Sequence, residues 1–190
     1  MSKTTSNDLL KTYSGIFGNK VILKNRNGKI IMTIPVPRKS SKPTEKQSAY
    51  RRKFKLASRY ATNILKDPEM LEAYRAKVRK GMTPYNVALK DFLKPPYINR
   101  IDASGYHGNP GDKISVAAGD DFKLTEVSVQ VIGPDSIVIE QGVCILTLPT
   151  GNYEYTATTR VADLAGITII AKARDLPGHI VGLAITAGMQ

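Results

Sequence analysis

Residues 126–131 read Glu-Val-Ser-Val-Gln-Val, and this alternation of polar and apolar side chains is the period of a half-buried β-strand. Residues 153–158 (Tyr-Glu-Tyr-Thr-Ala-Thr) repeat the alternation. Further strands are predicted where apolar runs lie between turn residues, at 113–118, 136–140, 143–148, 167–174 and 179–187. Seven short strands within about 95 residues predict an antiparallel β-sandwich.

The segment before these strands has the signals of helices. Thr44 with Gln47 three residues later is a capping box, and the residues at 67–69 (Asp-Pro-Glu) and 83–84 (Thr-Pro) begin two more helices. In the first helix, apolar residues recur every three or four positions and predict one buried stripe, formed by Tyr50, Phe54, Ala57, Ala61, Ile64 and Leu65. Three helices joined by short connections predict one compact core.

An Asn-Gly pair at 27–28 separates the apolar runs 21–26 and 29–34, which predicts a β-hairpin with a type I′ turn. A hairpin by itself is marginal in water, so its apolar residues must pack on another element. Residues 35–43 contain three prolines and three cations, and they are expected to form an extended basic connector to the first helix.

Charge changes along the chain together with the type of element. Residues 1–100 contain 23 Lys/Arg and 6 Asp/Glu, a net charge of +17, whereas residues 101–190 contain 5 and 10, a net charge of −5. The pair Pro95-Pro96 lies at this change. We therefore predict a two-domain α+β protein, with a flexible N-terminus at 1–12, a basic hairpin plus three-helix domain at 13–96 and an all-β sandwich at 97–190.

Two segments of the sandwich, Gly-Asp-Asp-Phe-Lys-Leu at 119–124 and Ala-Lys-Ala-Arg-Asp-Leu-Pro-Gly-His at 171–179, resemble bacterial immunoglobulin-like modules. That resemblance implies an immunoglobulin-like fold for residues 97–190. In the N-terminal half, Ser14-Gly15-x-Phe17-Gly18 and Thr83-Pro84-Tyr85-Asn86-x-Ala88 resemble an uncharacterised family of small basic proteins from Bacteroidetes-type bacteria. The second resemblance implies a fold and no function.

Cationic side chains concentrate on the first helix and on the connector before it. Such a cluster could follow a phosphate backbone, because each neutralised phosphate releases counterions and gives affinity that does not depend on base sequence. The predicted residues for binding nucleic acid or another polyanion are Arg38, Lys39, Lys42, Arg51, Arg52, Lys55, Arg59, Arg75 and Arg79. The bland alternative is an ordinary solvated surface. Sequence-specific reading is disfavoured, since the third helix offers only Asn86 and Lys90 for base contacts.

Aromatic residues are interspersed among these cations, as a stacking platform for single strands requires. They are Tyr13, Phe17, Tyr50, Tyr60 and Tyr74. Tyr50 belongs to the predicted apolar stripe, as does Phe54, so both are expected to be buried in the core. Tyr60 falls off the stripe and is the one ring that we expect at the surface.

Metal and catalytic signals are weak. Asp120, Asp121 and Asp175 could gather around a calcium ion, but aspartate is common in turns and the turn role is favoured. His107 and His179 have no ligand partner at zinc spacing. No nucleophile elbow, phosphate-binding loop, zinc-protease motif or dinucleotide fingerprint occurs. We therefore predict a protein that is not an enzyme, with no cofactor and no metal site.

These observations predict a non-enzymatic binding protein. Its basic domain would bind a polyanion, DNA or RNA, without sequence specificity, and its sandwich would contact proteins. The alternative is a structural or adhesion-type surface protein whose immunoglobulin-like domain is the working part. Cations clustered on one face favour the first function, and an even distribution favours the second. No apolar stretch is long enough for a signal peptide or a membrane span, which favours the cytoplasm, with the cell surface as the alternative after non-classical export.

Overall fold

The computed structural model describes residues 14–26, 29–36 and 42–187. These residues form an α+β protein with three helices and three antiparallel sheets. Contacts divide the chain into two compact units, Met1–Ala49 and Tyr50–Gln190, which are described here one after the other.

The N-terminal unit contains a three-stranded antiparallel sheet of β1 (Gly15–Phe17), β2 (Val21–Arg26) and β3 (Lys29–Thr33), in that order. Arg26 pairs with Lys29, so β2 and β3 form the predicted hairpin, although the loop at 27–28 lies outside the described residues. The sequence did not predict β1, because a three-residue strand is too short to show an alternation.

Three helices follow, and each begins at its predicted cap. They are α1 (Glu45–Ile64), α2 (Pro68–Ala76) and α3 (Pro84–Leu93). The capping box is reciprocal, since the backbone N–H of Gln47 donates to Thr44 Oγ1 at 3.3 Å and the backbone N–H of Thr44 donates to Gln47 Oε1 at 3.1 Å. Among the described residues, none of the helices has the length and hydrophobicity needed to cross a membrane.

The C-terminal unit contains two four-stranded antiparallel sheets. One has the order β4-β5-β9-β8 and the other β11-β10-β6-β7. The strands are β4 (Tyr97–Asp102), β5 (Lys113–Gly119), β6 (Leu124–Ile132), β7 (Val138–Val143), β8 (Ile145–Thr147), β9 (Asn152–Thr156), β10 (Thr168–Asp175) and β11 (Ile180–Thr186). Buried side chains from both sheets form one core.

The alternation at 126–131 is confirmed in β6. Val127, Val129 and Val131 are buried within this core, while the residues between them face away. Strand β4 was missed in the sequence, so the sheets have eight strands and not seven. Its pairing with β5 is irregular between Ile98 and Arg100, and a bulge of this kind interrupts the period-two pattern from which strands are predicted.

The helices pack against turns of the two sheets. Phe122, in the turn between β5 and β6, stacks on Tyr74 of α2 with ring centroids 4.0 Å apart. Phe92 of α3 meets the ring of His179, in the turn between β10 and β11, at 5.3 Å. The contacts therefore place α2 and α3 in the same unit as the sheets, whereas the sequence placed a domain boundary at residues 96 and 97. Independent folding of residues 13–96 and 97–190 stays a prediction.

Candidate functional site

Helix α1 contains six cations, and two of them, Lys46 and Lys53, lie on the same side as Ala57. At about 100° per residue, the other four fall within an arc of about 100°, on the side away from the buried Ala57 and Ala61. We call this set the cationic face; it consists of Arg51, Arg52, Lys55 and Arg59. All four side chains are exposed. The structure thus brings together four of the residues predicted to bind a polyanion.

The cationic face lacks local compensation by acids. Within the described part of the chain, none of its four side chains forms an ion pair with a carboxylate. Other cations are compensated, since Lys90 and Lys94 both bind Asp121, at 2.7 and 2.6 Å. The only acid of α1 is Glu45, in its first turn. Four uncompensated charges on one helix face make a strong local positive potential.

Two further predicted residues lie around α2. Arg75 pairs with Glu72 of the same helix. Arg79 lies in the connection between α2 and α3, where it lines a cleft of about 390 Å³ together with Lys77. Neither residue belongs to the cationic face, and the pairing of Arg75 reduces its availability for a phosphate.

The remaining predicted residues precede α1. Lys42 is exposed. Arg38 and Lys39 lie outside the described residues, so their proposed part in binding stays a prediction.

Beside the cationic face lies a groove with aromatic walls. Tyr50 and Phe54 are 74% and 52% exposed, so the expectation that both are core residues is wrong. With Leu93 of α3 they line a groove of about 480 Å³, which we call the aromatic groove. Arg51 and Lys53 complete its lining, and Lys53 Nζ donates to the Leu93 carbonyl oxygen at 3.1 Å. Two exposed rings and two cations therefore meet at one place.

The reason for this exposure is that the helical core covers only the later turns of α1. Ala57 and Ala61 are fully buried, and Ala61 packs with Tyr74 and Ala88. Tyr60 was expected at the surface, but it is half-buried, and its hydroxyl lies 2.9 Å from that of Tyr74. Burial raises the pKa of Tyr60 to about 12. Tyr60 and Tyr74 are therefore structural, and Tyr13 lies outside the described residues.

A buried polar network begins at Tyr74, and it was not predicted from the sequence. The Tyr74 hydroxyl donates to Asp91 Oδ2 at 2.7 Å, while Asp91 Oδ1 has no hydrogen-bond partner in the described structure. Burial raises the pKa of Asp91 to about 6, and the carboxylates of Asp120 and Asp175 add to the shift. Asp91 lies three residues after the buried Ala88, and this helical spacing was the available signal.

The three aspartates considered for calcium are occupied by local contacts. Asp120 Oδ2 accepts the backbone N–H groups of Phe122 and Lys123 at 2.9 and 3.0 Å. Asp175 accepts from the backbone of Gly178 and from the backbone and ring of His179, and Asp121 binds lysines. The backbone bonds of Asp120 and Asp175 are those that the turn interpretation predicts, whereas Asp121 forms ion pairs with α3. The described residues contain no group of three side chains suited to a metal ion.

Cys144 lies between β7 and β8. It is buried, and this burial raises the pKa of its thiol to about 12. A thiol with so high a pKa is almost entirely protonated at neutral pH and is a poor nucleophile.

Comparison with known proteins adds no assignment. No protein-family model, no curated protein and no solved structure matches this chain. The cationic face and the aromatic groove are therefore the features of the molecule that point to a function.

Proposed function

We propose that this protein is a non-enzymatic binding protein whose cationic face holds the phosphate backbone of nucleic acid without reading the base sequence. One observation supports this proposal above all others. Four exposed cations share one side of α1, and none of them has an acidic partner within the described ranges. Clustering of this kind is the distribution that favours polyanion binding over adhesion.

The ion pair of Lys90 also disfavours reading of the base sequence. Lys90 was one of two residues on α3 with the chemistry to contact bases, and its Nζ lies 2.7 Å from Asp121. This ion pair competes with any contact between Lys90 and a base. Binding would then come from the phosphates alone, which fix position but contain no sequence information.

The size of the effect follows from the number of charges. If each cation of the face neutralises one phosphate of duplex DNA, log K falls against log salt with a slope of about −3.6. Between about 50 and 200 mM salt, that slope lowers the affinity by about 150-fold. So steep a dependence distinguishes binding through phosphates from binding through apolar contacts.

The test uses the full chain and fluorescence anisotropy of labelled duplex DNA across a salt series. Arg52→Ala/Lys55→Ala/Arg59→Ala should bind every sequence more weakly and lower the slope to about −0.9. The matched control removes three exposed cations of the sheets and their turns, with the same change in net charge: Lys123→Ala/Arg160→Ala/Arg174→Ala. An unchanged slope in the helix variant, or an equal loss in the control, contradicts the proposed site.

We propose further that the two sheets are an immunoglobulin-like sandwich that contacts another protein. Support comes from the strand orders, since β4-β5-β9-β8 corresponds to the A-B-E-D sheet of immunoglobulin domains and β11-β10-β6-β7 to G-F-C-C′. In such domains, exposed strands and loops are the usual contact surfaces.

The structural or adhesion-type function remains the second candidate, because one observation favours it. Val143, Ile145 and Leu148 lie in or beside β7 and β8 and are 63%, 76% and 85% exposed. Apolar side chains grouped at a sheet edge are typical of a protein contact. The titration above separates the two functions, because absence of any binding at about 50 mM salt, where phosphate contacts are strong, favours adhesion.

A further inference from the structure

The aromatic groove presents ring surface in an unusual place. Tyr50 and Phe54 are one helical turn apart, a spacing that puts their Cβ atoms about 6 Å from each other. Both belong to the stripe that is buried from Ala57 onward, yet more than half of each side chain is exposed. Leu93 of α3 forms the third apolar wall.

The charge around the groove selects the kind of occupant. Arg51 and Lys53 both line it. Among the described residues, no acidic side chain contributes to the lining. An occupant that complements this groove therefore has flat apolar surfaces with negative charges next to them.

Single-stranded nucleic acid has this combination in every nucleotide, an exposed base beside a phosphate. Duplex DNA lacks it, because its base faces are covered by the neighbouring base pairs. An anionic bilayer fits less well, since the groove is concave and the described residues give it three apolar side chains, whereas membrane-surface helices bury a continuous apolar face.

We infer that the aromatic groove binds unpaired bases of a single-stranded nucleic acid, stacked on Tyr50 and Phe54, while Arg51 and Lys53 hold the adjacent phosphates. This inference rests on the proposed function and specifies its ligand. Loss of one stacking ring lowers affinity for a single strand by about 5- to 150-fold. The same loss leaves the affinity for duplex DNA unchanged, because duplex binding uses phosphates alone.

The chain contains no tryptophan, so Tyr50→Trp places a single fluorescent reporter in the groove of the full-length protein. Titration with an oligothymidylate should quench this fluorescence, because the base contacts the indole. An abasic oligomer of equal length and charge should bind more weakly and leave the fluorescence unchanged. Polyglutamate and vesicles containing an anionic phospholipid should also leave it unchanged.

Affinities measured without the tryptophan reporter complete the test. Tyr50→Ala/Phe54→Ala should lower the affinity for oligothymidylate to that for the abasic oligomer and leave the abasic and duplex affinities unaltered. Leu56→Ala is the matched control, since Leu56 is 53% exposed on the same helix but does not line the groove. It should bind like the unaltered protein.

The outcomes separate this inference from the proposed function. Equal binding of oligothymidylate and abasic oligomer with a steep salt dependence overturns stacking and leaves phosphate binding in place. Quenching by vesicles or polyglutamate in place of oligothymidylate overturns the nucleic-acid occupant. Absence of binding by any oligomer at low salt overturns both proposals.

Discussion

Replacement of Asp91 by Asn should change how the stability of this protein depends on pH. The Asp91 carboxyl group is 1% exposed and accepts one hydrogen bond, from the Tyr74 hydroxyl at 2.7 Å. Burial raises its pKa to about 6, with smaller contributions from the carboxylates of Asp120 and Asp175, while His179 and the Tyr74 bond act in the opposite direction. Asparagine has nearly the same shape and cannot ionise, so the substitution removes this titration.

The sign follows from proton binding. The folded protein holds the Asp91 proton with a pKa of about 6, whereas the unfolded chain releases it near 3.8. Between about pH 4 and slightly above pH 6, the native state therefore binds more protons than the unfolded chain. The free energy of unfolding falls as the pH rises through this range. Between about pH 4 and 7.5 this loss amounts to about 2 to 3 kcal/mol. Asp91→Asn avoids the loss.

Urea denaturation of the unaltered protein and of Asp91→Asn, measured from about pH 4 to 7.5, tests the reasoning. Carboxylates that do not interact with Asp91 titrate alike in both proteins, so their contributions cancel in the difference between the two free energies of unfolding. That difference should move by about 2 to 3 kcal/mol in favour of the variant as the pH rises. Parallel stability curves would refute the raised pKa, whatever the absolute cost of the new amide group.

Two further predictions concern the sheets. Gly108 and Gly111 both have a positive φ, +82° and +94°, but a Cβ on Gly108 would collide with the Val161 carbonyl oxygen, whereas no atom of the described residues lies within 4 Å of one on Gly111. In urea denaturation Gly108→Ala should therefore cost about 2 kcal/mol more than Gly111→Ala, and equal costs would contradict the close contact. Cys144 is buried with its pKa raised to about 12, so a maleimide should modify it only after unfolding in urea. Rapid modification of the native protein would show that the thiol is accessible.

Local features of the fold were predictable because they depend on residues within a few positions of one another. The bonds of Thr44 with Gln47 follow from their spacing of three, and the cap at Asp67 follows from the Asp-Pro-Glu signal, since Asp67 Oδ1 accepts the backbone N–H of Glu69. The strand at 126–131 follows from its alternation, because one face of β6 meets the core. Such features need no knowledge of distant parts of the chain.

Features that depend on partners far along the chain were not predictable. The stacking of Tyr74 on Phe122 joins residues 48 positions apart and places α2 and α3 with the sheets, where the sequence suggested a boundary. Asp91 is likewise buried beside Tyr74, 17 positions away, although in the sequence it simply follows Lys90 on α3. Nothing in the local pattern indicates which of these contacts form.

For the candidate site the same distinction holds. The sequence by itself determined that Arg51, Lys55 and Arg59 share one side of α1, because a spacing of four residues is close to one helical turn. It equally determined that Tyr50 and Phe54 share a stripe with Ala57. Only the tertiary structure decided which part of that stripe is covered, since helical periodicity sets the direction of a side chain but burial depends on where the neighbouring elements end. The helical core covers α1 from Ala57 onward and does not reach Phe54, so the rings of Tyr50 and Phe54 are left exposed beside cations.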